Sequence, residues 1–327
     1  MNNQSTLFEF QPFDDLAIQS FLSKREGETK LGEKLSNFTN AKYVIIGVEE
    51  SIGPRANKGR AGAEHGFKAF LSSFLNMQSN ETLSGDEIHV LGKVVTKDLV
   101  EDDLFKCVEE LDDFLVYILS SLAVHQIPIL IGGGHNNAFP LMKSANMSHG
   151  KYLQVVNLDA HADYRLLEGR HSGNPFSYAF NKGFLKKYHV LGLHQRYNSQ
   201  QIIDDLRRDG HYFTFNEEYL LSKRNYMNDF KELAHDLSKS QDYVGIELDM
   251  DTIERMPSSA YSPVGISIET ARIYISQMAS IEKVAYLHLP EGAPTNELED
   301  RIVGKTLAYL VSDFITERQF LNRNTYI

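Results

Sequence analysis

Three stretches of this 327-residue chain end in side chains able to hold a divalent cation. In Val155-Val156-Asn157-Leu158-Asp159-Ala160-His161-Ala162-Asp163, two carboxylates and an imidazole stand two residues apart after an apolar run. The run reads as a buried strand. If its geometry continues through Asp159, His161 and Asp163, all three side chains fall on one face, because strand side chains alternate. Tyr243 to Asp251 repeats the pattern and ends in Asp249 and Asp251, again two apart. Ile127 to Asn137 runs from apolar residues through Gly132-Gly133-Gly134 into His135. Carboxylates and imidazoles without thiolates suit a cation such as Mn²⁺ better than a soft metal. Six such ligands, four of them carboxylates, would hold two ions rather than one, the arrangement of hydrolases that generate hydroxide.

In this order, Gly-Gly-Gly-His, Asp-Ala-His-Ala-Asp and Leu-Asp-Met-Asp resemble the ureohydrolase superfamily of arginase, agmatinase and formimidoylglutamase, over roughly residues 40 to 320. Asn57-Lys58-Gly59-Arg60-Ala61-Gly62-Ala63, the third glycine before His135, and Ser172-Gly173-Asn174-Pro175-Phe176 are most similar to formimidoylglutamase. Arginases and agmatinases usually carry Asp where Gly134 stands. The resemblance implies an arginase-like, three-layer α/β/α fold and two Mn²⁺ per chain. It makes Asp159 and Asp249 bridging ligands, with His135 and Asp163 completing one ion and His161 and Asp251 the other. Asp163 would also orient the hydroxide. Glu291, in Leu289-Pro290-Glu291-Gly292, resembles the glutamate that meets a cationic amidine or guanidinium group. Arg165 stands where arginases place an asparagine near the substrate carboxylate, and a guanidinium there would grip a carboxylate with two hydrogen bonds. Arg60, Ser172 and Asn174 are further candidates for the pocket wall. A solvated turn for Arg60 and an exposed salt bridge for Arg165 are the plainer alternatives.

The activity implied is hydrolysis of a linear amidine, N-formimino-L-glutamate, to glutamate and formamide, as in histidine degradation. A guanidine hydrolase of the agmatinase, guanidino-acid or arginase type stays open, and so does a catalytically silent binding protein. The intact ligand set speaks against the last, since clustered carboxylates repel one another without metal. Three departures bear on substrate. Ser172 occupies the position of a proton-shuttling histidine in arginases. His171 is adjacent, but neighbouring side chains in extended chain point oppositely, so Asp163 and water are expected to carry the proton. Glu247 replaces a usual Ser or Thr and is expected on the face of Asp249 and Asp251, as an extra ligand or an acid narrowing the pocket. Asn136 stands where formimidoylglutamases often have Glu.

The elements that must position these residues alternate along the chain. Strands are expected at Lys42 to Val48, Ile88 to Leu91, Val155 to Leu158, His189 to Leu193, Tyr212 to Phe215 and Val284 to Leu289, and before His135 and Asp249. Helices are expected over Ala63 to Met77, Asp102 to His125, Gln200 to Arg208, Tyr226 to Lys239, from an N-cap at Ser267 to Ala279, and over Glu297 to Phe320. Such alternation implies a mostly parallel sheet with helices on both faces, whose carboxyl edge would gather the three ligand stretches. Residues 1–39 read as an arm or short helices laid on a single domain of residues 40–327.

Composition excludes other classes. A net charge of -11 argues against nucleic acid or an anionic membrane surface as partner. Apolar residues make up 42% without a spanning run, and the start lacks a secretory pattern. The lone Cys107 fits a reducing cytoplasm. The expected partner is a small amidine or guanidine, and a homo-oligomer stays open.

Overall fold

The β-branched runs of the sequence form the middle of a nine-stranded sheet. The structure, a computed structural model, describes residues 5–97, 103–150 and 152–324. Among these the strands are β1 (Phe8–Pro12), β2 (Tyr43–Glu49), β3 (Ile88–Thr96), β4 (Ile127–Ile131), β5 (Leu153–Leu158), β6 (Lys187–Leu193), β7 (Tyr212–Phe215), β8 (Tyr243–Leu248) and β9 (Val284–Leu289). Their order across the sheet is β1-β3-β2-β4-β9-β8-β5-β6-β7. Every neighbouring pair is parallel except β1 with β3.

Parallel strands buried on both faces need apolar side chains on both, and the period of two divides them between two cores. In β2, Tyr43 and Ile45 join one core, while Val44, Ile46 and Val48 join the other. The first core is closed by helices Gly66–Phe74, Tyr226–Lys239, Ile268–Ala279 and Glu297–Asn324. The second is closed by Leu104–Leu119, Ala138–His149, Pro175–Asn181 and Gln200–Arg208. Phe67, Phe70 and Phe74 fall on one face of their helix and are fully buried, each contributing about 1.5–3 kcal/mol. Gly304 lets the last helix lie against that one, since a Cβ there would come within 2.2 Å of the Ala69 carbonyl oxygen.

Several boundaries differ from the sequence reading. β3 runs on to Thr96, because it is held on one side by β2 and on the other by β1. The N-terminal stretch thus supplies an edge strand of the same sheet. The helix expected over Asp102 to His125 spans Leu104–Leu119, capped by the Asp103 side chain, and residues 98–102 lie outside the described residues. Helices Ala138–His149 and Pro175–Asn181 were not anticipated. Ser267 caps its helix as expected, its side chain accepting from the Thr270 N–H. No helix among the described residues is long and apolar enough to cross a membrane.

Candidate metal centre

β4, β9, β8 and β5 lie side by side in the middle of the sheet. The chain leaves β4 and re-enters at β5, with β9 and β8 between them, which opens a crevice at their carboxyl ends. His135 follows β4, Glu291 follows β9, Asp249 and Asp251 follow β8, and Asp159 to Asp163 follow β5. The last three ligands do converge, but not by continuing the strand. β5 ends at Leu158, the His161 N–H donates to Asp159 Oδ1 at 2.7 Å, and Asp163 has φ 45°. A turn brings the third carboxylate back. The Asn198 side chain steadies it, accepting from the Ala162 N–H at 2.8 Å and donating to the Ala160 and His194 carbonyls.

The side chains form two interlocked groups. His135 Nδ1 lies 3.0 Å from Asp163 Oδ2, 3.0 Å from Asp249 Oδ2 and 3.3 Å from Asp159 Oδ2. His161 Nδ1 lies 3.1 Å from Asp251 Oδ2 and 3.8 Å from Asp159 Oδ1. Asp159 therefore faces both groups, one oxygen to each. One N–H donates well to one acceptor, yet three carboxylate oxygens crowd His135 Nδ1, and buried Asp251 Oδ1 has no hydrogen-bond partner. A donor set of oxygens and imidazole nitrogens in this crowding fits divalent cations of the Mn²⁺ type.

The electrostatics carry the same message. Burial, then the charges of Asp251 and Asp159, push Asp249 well above the carboxylate range. Burial, partly offset by a hydrogen bond from His135, brings Asp163 to about 6. His135 loses charge stability through burial, but hydrogen bonds to Asp159, Asp163, Asp249 and Glu247 outweigh this and raise it well above the usual histidine value. Asp249 and Asp163 thus hold their protons more tightly than exposed aspartates do.

A cleft of about 160 Å³ opens above these groups, lined among others by Asn57, Arg165, Ser172, Ser259 and Glu291. Glu291 has φ 68°, a conformation that costs a non-glycine residue on the order of 1–3 kcal/mol and persists only where its surroundings enforce it. The His135 N–H donates to its Oε1 at 2.8 Å, and Ser259 Oγ donates to its Oε2. Burial pushes its pKa to about 8. Arg165 stands at the mouth, half-exposed, with Nε donating to Glu168 Oε1 at 2.9 Å.

Three expectations are corrected. Asn174 is wholly buried and spends its side chain inside the protein. It accepts from Arg170 Nη1 at 2.8 Å and the His171 N–H at 3.1 Å, and donates to the Gly169 carbonyl at 2.7 Å, so it shapes the loop instead of meeting substrate. Arg60 is exposed and does not line the cleft. Glu247 is wholly buried beneath the cleft and belongs to neither aspartate group, so it neither narrows the pocket nor adds a ligand to them. His171 is also buried, with Nδ1 accepting from the Gly173 N–H at 3.1 Å and Nε2 3.3 Å from Glu168 Oε1, while Ser172 lines the cleft.

Some supports were not foreseen. Buried Glu50 accepts at Oε1 from the Gly134 N–H at 2.9 Å, Asn137 Nδ2 at 2.9 Å and Asn136 Nδ2 at 3.2 Å, which accounts for both asparagines after His135. Arg170, 2% exposed, donates to Asp112 at 2.9 Å and to the Asn136 carbonyl at 3.0 Å, joining the helix Leu104–Leu119 to both loops of the site. Their only sequence signal was a charge beside a motif.

Comparison with known proteins places the chain by family and by fold. Residues 41–316 match the arginase family. A formimidoylglutamase of Rhodococcus opacus (strain B4) is 27% identical over 287 residues, which cover 84% of this chain and 85% of that protein. The crystal structure of a formimidoylglutamase from Bacillus subtilis superposes with a TM-score of 0.78 at 18% identity, covering 91% of this chain and 95% of that one. Trypanosoma cruzi formiminoglutamase with Mn²⁺ superposes with a TM-score of 0.73 at 21% identity, covering 89% and 98% respectively.

Proposed function

The chain belongs to the arginase family, and from that premise we propose that it hydrolyses N-formimino-L-glutamate to L-glutamate and formamide, using two Mn²⁺ per chain. The formimidoylglutamases among its relatives support the substrate, and the manganese of the trypanosomal protein supports the metal. One observation carries the reading: the cleft has a buried acid, Glu291, at its base and a guanidinium, Arg165, at its mouth. Formiminoglutamate has the complementary polarity, a protonatable amidine at one end and carboxylates at the other.

In this reading Asp159 and Asp249 would serve both cations, His135 and Asp163 would complete the holding of one, and His161 and Asp251 that of the other. When bound, two such ions neutralise the aspartates and lower the pKa of water so that hydroxide is available near neutral pH. Glu291, fixed by His135 N–H and Ser259, uses its remaining lone pairs to receive the amidinium N–H groups and set the carbon's position. Asp163 would take the proton of the attacking water and return it to the departing nitrogen. Ser172 is too weak an acid to be the proton source and serves as a relay or substrate contact. Among the described residues the Arg165 side chain pairs with exposed Glu168, a pairing worth about 0–1 kcal/mol, so turning it to a substrate carboxylate costs little. The buried single Cys107 suits a reducing compartment, and we assign the protein to the cytoplasm.

The test is steady-state turnover of formiminoglutamate, agmatine and arginine by the Mn²⁺-loaded protein. Formiminoglutamate is expected to be hydrolysed fastest. Faster turnover of agmatine would replace this reading with a guanidine hydrolase, and no turnover of any of them would favour a silent binding protein.

A further inference from the structure

We propose that Glu247 is a positioning residue for His135, and that Glu247 with His288 forms a buried pair which aims His135 Nδ1 at the aspartate cluster. The inference rests on the two-ion reading above. Glu247 is the register partner of His288 on β9 and of Asn157 on β5. Partners in parallel register project to the same face, so the three side chains form a row across the centre of the sheet. That row lies one strand period beneath the ligands, Asn157 being two residues before Asp159 and Glu247 two before Asp249.

Asn157 and Glu247 each face a residue above the row, and His288 pairs with Glu247 within it. Asn157 Nδ2 donates to Asp159 Oδ2 at 2.9 Å. Glu247 Oε2 lies 3.4 Å from His135 Nε2 and 2.5 Å from His288 Nδ1. His135, Glu247 and His288 are all wholly buried. The His135 ring thus lies between the aspartates at Nδ1 and Glu247 at Nε2, with Phe176 set edge-on at 5.3 Å; Nε2 is buried without a hydrogen-bond partner, and the Glu247 carboxylate 3.4 Å away is placed to accept from it. An imidazole whose outer N–H meets a carboxylate has its tautomer fixed and its other nitrogen made a better ligand. The alternative, a third cation shared by His135, Glu247 and His288, would need His135 to give up its outer proton as well, in a place with no exposed atom.

The test titrates metal-free wild type, Glu247→Leu and Glu247→Gln with Mn²⁺, following the free ion by electron paramagnetic resonance. Wild type is expected to bind two ions. Glu247→Leu should weaken one binding step about 10- to 100-fold and leave the other within about threefold, the loss typical of a supporting carboxylate. Glu247→Gln, which keeps an acceptor oxygen, should recover most of that loss. Unchanged binding in Glu247→Leu, equal weakening of both steps, or a third ion that disappears on substitution would overturn the proposal. A wild type that binds no pair of ions would instead remove the metal reading itself. Should Glu247→Leu not fold, the ring ¹⁵N shifts of His135 in Zn²⁺-loaded wild type decide. Protonated Nε2 with metal-bound Nδ1 supports the pair, and protonated Nδ1 overturns it.

Discussion

At the scale of single residues, the two ends of the cleft make separable predictions. Arg165→Ala removes a charge-assisted contact of about 1.5–3 kcal/mol and should raise KM for formiminoglutamate by a factor on the order of 10 to 100. Because the guanidinium is half-exposed and paired to exposed Glu168, the fold should not suffer. An unchanged KM would remove Arg165 from substrate binding. His171 is the contrasting case. Burial lowers its pKa to about 4, so at neutral pH it holds no spare proton, and both ring nitrogens already have partners within the loop. His171→Ala should therefore cost less than roughly tenfold in kcat, where removal of a positioned acid costs about 10² to 10⁴. A loss in that larger range at unchanged metal content would make His171 the proton shuttle.

At the scale of elements, the site depends on loops that backbone hydrogen bonds to neighbouring strands hold at their roots, as where Asp159 N–H donates to the Leu191 carbonyl and Asp249 N–H to the Leu158 carbonyl, and that side chains tie together farther out. Arg170 binds Asp112 of one helix, the Asn136 carbonyl beside His135, and Asn174 of the loop that carries Ser172. Asp112→Ala would leave that guanidinium buried without its counter-ion, which costs about 3–5 kcal/mol. Urea denaturation should show a loss of this size together with lowered activity, and a change below about 1 kcal/mol would mean the loop is held otherwise. Such ties explain what could be read in advance. The ligand stretches were legible because apolar runs ending in paired carboxylates are a local pattern, as were the helices over Gln200–Arg208 and Tyr226–Lys239. The turn at Asp163, the role of Asn174 and the burial of Glu247 were not, because each is decided by partners far away in sequence. β1 escaped notice for the same reason, its five residues being held in place by β3 some eighty positions on.

At the scale of the whole molecule, the site should set how stability responds to pH. Burial raises the pKa of Asp163 to about 6 and of Glu291 to about 8, and raises Asp249 well above its ordinary value. His135 is raised as well, since its hydrogen bonds to the aspartates outweigh its burial. In the metal-free protein all of these hold protons that the unfolded chain would release, so the folded state binds more protons and stability falls as pH rises. The contribution is fully present below the unfolded values, near 4 for the carboxylates and 6.5 for histidine, and is lost through the folded ones. Buried histidines act in the opposite sense. His171 and His211, each lowered to about 4 by burial, destabilise the fold as pH falls from 6.5 to that value. They lie outside the aspartate groups and act equally with and without metal, so they cancel in a difference. Cation binding reverses the sign for the site itself, because its ligands bind when deprotonated and protons compete with the metal. Melting curves from pH 5 to 8 should then diverge, the chelator-treated protein losing Tm relative to the Mn²⁺-loaded one as pH rises. With free Mn²⁺ at a hundred times its Kd, the gap should reach about 2.7 kcal/mol per site. Parallel curves would show that the aspartates do not exchange protons for cations, and would count against the metal centre as drawn.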